Sequence, residues 1–351
     1  VASPWVLKAI THFTWGNLMY LDRSAARTAG RLGAAVAACI ALLSATGCST
    51  DAGSGADAPD ARASAAGPAK AKGGNNDGKG KASDARPAPS MPEPAALAQA
   101  KVNISDGQTV GVGMPISVTF RQPVPAADRK AVESWLRVQT SSGTAGAWSW
   151  VMGHGLLDGQ RVDFRPSSTY WQPGTRVTLR LGSHGVRHFT VGRSLVATVD
   201  ARTHEMIVST GGKTQRIPVT TGAPGTDTWN GTMVVMDKQR KVLMDSRTVG
   251  LGNEYRGDYF WAVHLTTSGT YVHQNPHADT AAGHSNVTHG CVGLATDGTA
   301  ERFYNQVMVG DVITVTGANK DTVAPGNGYG DWNLTWKKWL EHSLAGQTST
   351  A

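Results

Sequence analysis

The pattern of apolar and polar positions divides the chain into stretches of different character. An apolar run from Leu32 to Leu43 comes first. From Ser49 to about Ala100, large apolar residues give way to Ala, Gly, Ser, Pro, Lys and Asp. Such a stretch cannot bury enough surface to offset its ordering entropy, so disorder is expected. The pattern changes at Val102, where short alternating runs begin, such as Pro115-Ile-Ser-Val-Thr-Phe120 and Arg176-Val-Thr-Leu-Arg-Leu181. Gly, Pro and Ser clusters separate them, which predicts a small β-sandwich. Trp148, Trp150, Tyr170 and Trp171 supply bulk for its core in preference to a sugar-binding platform. A second β-rich unit runs from about Arg193 to Gly317. It opens with Ser194–Asp200 and Glu205–Ser209, and closes with Asp311–Thr316. Between them Thr299–Val309 places Phe303, Val307 and Met308 at helical spacing. In the tail, Trp332, Trp336 and Trp339 fall near one face of a helix, a stripe suited to docking onto the body. No internal repeat is visible. The expected fold class is mainly β, in two units with a short helix and a helical tail.

The N-terminal run has a targeting character. Arg23, Arg27 and Arg31 precede it and Ser44-Ala-Thr-Gly-Cys48 follows, the layout of a signal peptide. Its apolar stretch falls short of the roughly 20 residues of a membrane-spanning helix. Small residues ending in Gly47-Cys48 resemble a lipobox, which makes Cys48 the expected lipidation site and membrane anchor, although Ala45 stands where Leu is usual. Ordinary cleavage nearby, giving a freely secreted protein, is the alternative. Residues 1–18 stand ahead of this pattern, and Met19 suits a start. The expected organisation is a signal peptide over 1–48, a linker over 49–100, a sandwich over 101–192, a second domain over 193–317 and an extension over 318–351. A coil of about 50 residues spans roughly 40 Å, a length suited to a tether.

Composition narrows the chemistry. Of 351 residues only 17% are charged, and the formal net charge is +7. That charge suits anionic lipid or wall polymers. No RNP, zinc-finger or helix-turn-helix pattern accompanies it, so nucleic acid is not an expected partner. Of three cysteines, Cys39 and Cys48 lie in the N-terminal segment, which leaves Cys291 alone in the folded body. A single thiol supports neither a disulfide framework nor a cysteine zinc site.

The thiol sits in an informative segment: Tyr271-Val-His273-Gln-Asn-Pro-His277, then His284, then Thr288-His289-Gly290-Cys291-Val-Gly293. A free cysteine is often simply buried. Here two upstream histidines, His273 and His289, favour a catalytic pair, because an imidazole can lower a thiol's pKa and take its proton. Gly290 permits close backbone approach, so the amides around Cys291 can face a developing oxyanion. Three other signals carry less. Ser183-His-Gly-Val186 repeats the motif without a thiol. Histidines 264, 273, 277, 284 and 289 crowd together, but Pro276 disfavours the helix that would make the 273/277 spacing useful for a metal. No carboxylate lies between those two to complete a zinc-protease motif. Asp297 and Glu301 suit a helix N-terminus.

These residues resemble the L,D-transpeptidases of the YkuD-domain type, whose signature is a His followed at a distance by Ser/Thr-His-Gly-Cys. Here 14 residues separate His273 from Thr288-His289-Gly290-Cys291. Gly111-Val-Gly-Met-Pro-Ile116 and Tyr170-Trp-Gln-Pro-Gly-Thr-Arg-Val177 resemble the immunoglobulin-like domain of actinobacterial members, and Gly328-Tyr-Gly-Asp-Trp-Asn333 resembles their C-terminal extension. The resemblance implies Cys291 as nucleophile, His273 as its base, His289 shaping the site, and the amides of Gly290 and Cys291 as oxyanion hole. It also implies Tyr255, in the lid-like run 254–261, and Thr288 as substrate contacts. Two departures stand out: Gly293 replaces the Asn or Arg of many members, and the Leu181–Phe189 stretch is short. The implied activity is 3–3 cross-linking of peptidoglycan stem peptides through a Cys thioacyl-enzyme with release of D-Ala, without cofactor or metal. Carbapenem-type β-lactams are the implied covalent inhibitors, and the outer face of the membrane the implied location. An L,D-carboxypeptidase and a non-catalytic wall-binding lipoprotein are the rivals.

Overall fold

A computed structural model describes residues 89–167 and 169–351. The signal peptide, Cys39, Cys48 and most of the linker lie outside the described residues.

The first unit packs two antiparallel-rich sheets. Its strands are β1 (Lys101–Val102), β2 (Gln108–Val110), β3 (Ile116–Thr119), β4 (Leu136–Thr140), β5 (Gly146–Trp150), β6 (Arg161–Pro166), β7 (Arg176–Leu181) and β8 (Val186–Val191), with helix α1 (Ala126–Trp135) before β4. One sheet runs β1-β3-β6-β5 and the other β2-β8-β7-β4. Val118, Val162, Phe164, Trp171 and Leu179 fill the space between them, each at most 2% exposed. The buried indoles have acceptors: Trp148 donates to the Leu136 carbonyl at 2.9 Å and Trp171 to the Met114 carbonyl at 2.7 Å. A buried indole N–H needs such a partner, and these rings are core residues.

The linker reaches less far than its composition predicts. Residues Ala95–Gln99 form a single 3-10 turn with Leu97 1% exposed. Trp135 donates to the Met91 carbonyl, and Glu93 accepts from the Ser183 amide. One buried leucine and these two anchors order a segment whose composition alone reads as coil. The Ser183-His-Gly-Val186 echo is thereby explained as the β7–β8 turn that holds this segment.

The second unit is built from β9 (Leu195–Asp200), β10 (Glu205–Thr210), β11 (Lys213–Pro218), β12 (Gly231–Val234), β13 (Asp237–Asp245), β14 (Arg256–His264), β15 (Tyr271–Gln274), β16 (Val292–Leu294) and β17 (Val312–Thr316). Two short helices accompany them, α2 (Ala278–Ala281) and α3 (Thr299–Gln306). A five-stranded sheet of order β11-β10-β9-β17-β12 faces a four-stranded sheet of order β13-β14-β15-β16. Phe303 of α3 and Val263, Val272 and Val292 of the smaller sheet bury against the larger one. The alternation read in Ser194–Asp200 appears directly: Leu195, Ala197 and Val199 are fully buried.

The two units meet through backbone. The Gly111 amide donates to Val309 at 2.8 Å and the Gly113 amide to Gly310 at 2.9 Å. The tail then returns to the sandwich. The tryptophan stripe does not lie on one helix: Trp332 is in a 3-10 turn, Asp331–Asn333, and helix α4 covers Trp336–Glu341 with Thr335 as its cap. The guanidinium of Arg165 unites them, lying 4.8, 5.6 and 4.7 Å from the rings of Trp332, Trp336 and Trp339. Beyond α4, Thr348 bridges to Gly146 of β5 and covers that edge strand.

Candidate active site

Strand β15 sets the site. Its alternation sends Val272 into the core, fully buried, and turns Tyr271 and His273 to the opposite face. Strand β16 pairs with it in parallel, with His273 opposite Gly293. Cys291 enters at the start of β16 from a tight turn. Gly290 there has φ +112°, a conformation that a side chain rarely tolerates. The Thr288 hydroxyl holds the turn, donating to the Cys291 carbonyl at 2.6 Å and accepting from the Gly290 amide at 3.3 Å. That hydroxyl, expected to meet substrate, is engaged on both sides within the turn. The Thr288 backbone is pinned in turn by Thr221 and Ala223.

Cys291 and His273 line a cavity of about 550 Å³ together with Tyr255, Tyr259, Asn275 and His289. Cys291 is 9% exposed, and its sulfur lies 3.7 Å from the Gly269 carbonyl. Burial pushes the thiol up to about 11, against an opposing contact from the Tyr271 amide. His273 is 2% exposed, and burial pushes its imidazole down to about 4. Its Nδ1 lies 2.6 Å from the Gln274 carbonyl. A carbonyl only accepts, so Nδ1 carries the proton and Nε2 keeps a free lone pair. The sequence suggested a thiol activated in advance by an imidazolium. The structure holds both groups neutral, because desolvation disfavours each charged form. A neutral imidazole with a free Nε2 can still take a thiol proton as bond formation proceeds.

Aromatic residues complete the walls. The Tyr255 ring lies 5.2 Å from His289, and Tyr259 meets His273 edge-on at 5.0 Å. Tyr271 stacks on His264 at 4.2 Å, and His264 is held by Asp237 at 2.8 Å and by the Thr266 carbonyl at 2.7 Å. Burial, and after it the negative charge that a Cys291 thiolate would carry, raises Tyr255 to about 12 and shifts Tyr259 upward. Tyr271 rises to about 12 through burial, then Asp237 and Cys291. Sequence reading named Tyr255 and passed over Tyr259 and Tyr271. The signal was present as spacing of two, since 257 and 259 share a face of β14 and 271 and 273 a face of β15.

The remaining histidines differ in placement. His277 precedes α2 on the wall of the same cavity and His284 follows α2, both exposed, while His264 belongs to the Asp237 contact. Strand β15 ends at Gln274, so His273 and His277 share no helix.

Residues 69–187 match the family model of the bacterial Ig domain, and residues 194–315 match that of the L,D-transpeptidase catalytic domain. L,D-transpeptidase 2 of Mycobacterium tuberculosis is 33% identical over 252 residues, covering 67% of this chain and 59% of its own length. L,D-transpeptidase 1 of the same organism is 36% identical over 221 residues, covering 62% of this chain and 84% of its own length. The solved structure of an L,D-transpeptidase in complex with imipenem is 35% identical with a TM-score of 0.55, covering 62% of this chain and 97% of that one. L,D-transpeptidase 3 from Mycobacterium tuberculosis, solved with a faropenem-derived adduct, is 32% identical with a TM-score of 0.54, covering 63% and 98%. With its Ig-like sandwich followed by a YkuD-type β-rich domain, the chain belongs to the L,D-transpeptidase family.

Proposed function

We propose that the protein is a peptidoglycan L,D-transpeptidase that forms 3–3 cross-links through a thioester on Cys291. The observation that carries this reading is the buried thiol sharing a cavity with an imidazole whose Nε2 is free. Cys291 attacks the carbonyl of the third stem residue, a diamino acid, as His273 Nε2 takes the thiol proton. The carbon–sulfur bond forms, the bond to the terminal D-Ala breaks, and the proton leaves on the D-Ala amine. The side-chain amine of a second stem then attacks the thioester. Its proton passes through His273, and the thiol is regenerated. Neutral resting groups suit both halves, since the acceptor amine must also be neutral and no charge waits buried between turnovers.

The amides of Gly290 and Cys291 form the oxyanion hole in this mechanism. Gly290's contact to Thr288 is long at 3.3 Å, and a developing oxyanion is the stronger acceptor. His289 and Tyr255 close the cavity over the acyl group. The reading places the enzyme outside the cytoplasm, tethered through lipid on Cys48. The relatives solved with imipenem and with a faropenem-derived adduct support carbapenem-type β-lactams as acylating ligands of this thiol.

The test uses purified protein and a disaccharide-tetrapeptide stem. D-Ala release with a product of cross-linked mass is expected, whereas a product of hydrolysed mass would assign a carboxypeptidase. Imipenem should add one drug mass to the intact protein. Cys291→Ala should lose both D-Ala release and the adduct while retaining its fold. D-Ala release near the wild-type rate in that variant would overturn the assignment.

A further inference from the structure

Strand geometry places a side chain at position 293 on the same face as the Cys291 thiol, about 6.5 Å further along β16. The residue there is glycine, and its surroundings show why. A Cβ at 293 would lie 2.9 Å from the Thr220 methyl, 3.1 Å from Asn275 Cβ and 3.4 Å from Asn275 Nδ2. Neither neighbour can easily yield. The Thr220 hydroxyl donates to the Ser285 carbonyl at 2.7 Å and accepts from the Val287 amide at 3.1 Å, which locks its rotamer. The Asn275 backbone is held at both ends, its amide by Leu294 and its carbonyl by Ala278. The space beside the thiol that residue 293 would fill is therefore occupied by the side chain of Asn275.

That side chain is oriented and has an unused donor. Its Oδ1 accepts from the His277 amide at 2.9 Å, a local Asx turn. An N–H requires an acceptor, so this contact decides which end of the amide is oxygen. Nδ2 is then the remaining end, and it has no hydrogen-bond partner among the described residues. Asn275 is 7% exposed, and what remains open lines the same cavity as Cys291 and His273. A nearly buried donor without a protein partner, facing a cavity that holds a reactive pair, is a place for a ligand acceptor.

We propose that Asn275 binds substrate, its Nδ2 donating to an acceptor oxygen of the stem peptide whose carbonyl is attacked at Cys291. This rests on the functional reading above. The bound oxygen belongs to the acyl donor, within about two extended residues of the scissile carbonyl, since the donor lies that far along the strand from the thiol. Gly293 and Asn275 thus form one unit, with 293 kept bare so that 275 can reach the site from the neighbouring strand.

The experiment compares wild type, Asn275→Ala and Asn275→Asp in D-Ala release from the disaccharide-tetrapeptide. Thermal melting and iodoacetamide alkylation of Cys291 serve as controls of fold and thiol. Asp keeps the acceptor for the His277 amide and removes the donor, so it separates the two duties of the side chain. Both variants are expected to melt near wild type, to alkylate within about twofold of it, and to lose about tenfold in kcat/KM, mainly through KM. Recovery of wild-type kcat/KM by Asn275→Asp would assign the residue to the turn alone and overturn the proposal, as would unchanged kcat/KM in Asn275→Ala. If the wild-type protein releases no D-Ala, the functional reading fails and this proposal fails with it.

Discussion

Two of the places where the protein buries ionisable groups treat them differently. In the sandwich, Arg161 and Asp163 are 6% and 0% exposed and form a bidentate pair, with Nε to Oδ1 at 3.0 Å and Nη2 to Oδ2 at 2.6 Å. Nη2 also donates to the Gly328 carbonyl, and the guanidinium lies over the Tyr329 ring at 5.5 Å. The nearby Asp331 carboxyl is fully buried, and burial followed by Asp163 holds it well above the usual carboxylate range. At the other place, Cys291 and His273 are buried nearly as deeply, yet they have only backbone partners, the Gly269 carbonyl and Tyr271 amide for the thiol and the Gln274 carbonyl for the imidazole, and an open side toward a cavity. Charged groups closed on one another make a clamp between sandwich and tail. Neutral groups left incomplete beside a cavity are available for chemistry.

The largest break in this comparison should come from removing the proton acceptor. His273→Ala is expected to slow D-Ala release by about 10²–10⁴-fold, the value of a positioned general base. His277→Ala, four residues away and exposed, should cost no more than a few-fold. Equal losses at both positions in a steady-state assay would point to a shared metal site instead.

The clamp should fail differently. Arg161→Ala leaves Asp163 buried without its partner and is expected to cost about 3–5 kcal/mol of stability. Denaturant unfolding would show this, while alkylation of Cys291 in the folded fraction stays at the wild-type rate. A variant that melts normally but loses alkylation would mean that the two regions are not separable in the way described.

Protonation gives the smallest and sharpest test. His273 has its pKa lowered from 6.5 to about 4, so its basic form persists until the pH falls through about 4. The acid limb of kcat/KM should therefore lie well below the usual imidazole range. Cys291 is raised to about 11, so iodoacetamide alkylation should climb about tenfold per pH unit above 7 and level only near 11. A plateau already at neutral pH would reveal a resting thiolate–imidazolium pair.

Much of this arrangement is written in local pattern. Alternation in Ser194–Asp200 is enough for β9, because strand and helix periods are properties of the chain itself. The helix read over Thr299–Val309 is present as α3 but ends at Gln306, with Val307 as its extended cap and Met308 beyond it. The His273 and Cys291 pair is legible because only one thiol lies outside the N-terminal segment, next to His289-Gly290. Pro276 likewise argued in advance that His273 and His277 share no helix, and β15 indeed ends before it. Tertiary structure decided what depends on distant segments. Parallel pairing of β15 with β16 sets Gly293 opposite His273 and brings Asn275 into the place of the missing side chain. The docked turn at Ala95–Gln99 depends on Trp135 and Ser183, and the tryptophan stripe is gathered by Arg165 rather than by one helix. The protonation of Cys291 and His273 is of the same kind. Motif spacing specifies which groups meet, but desolvation is set by every element packed around them, and only the folded chain supplies that.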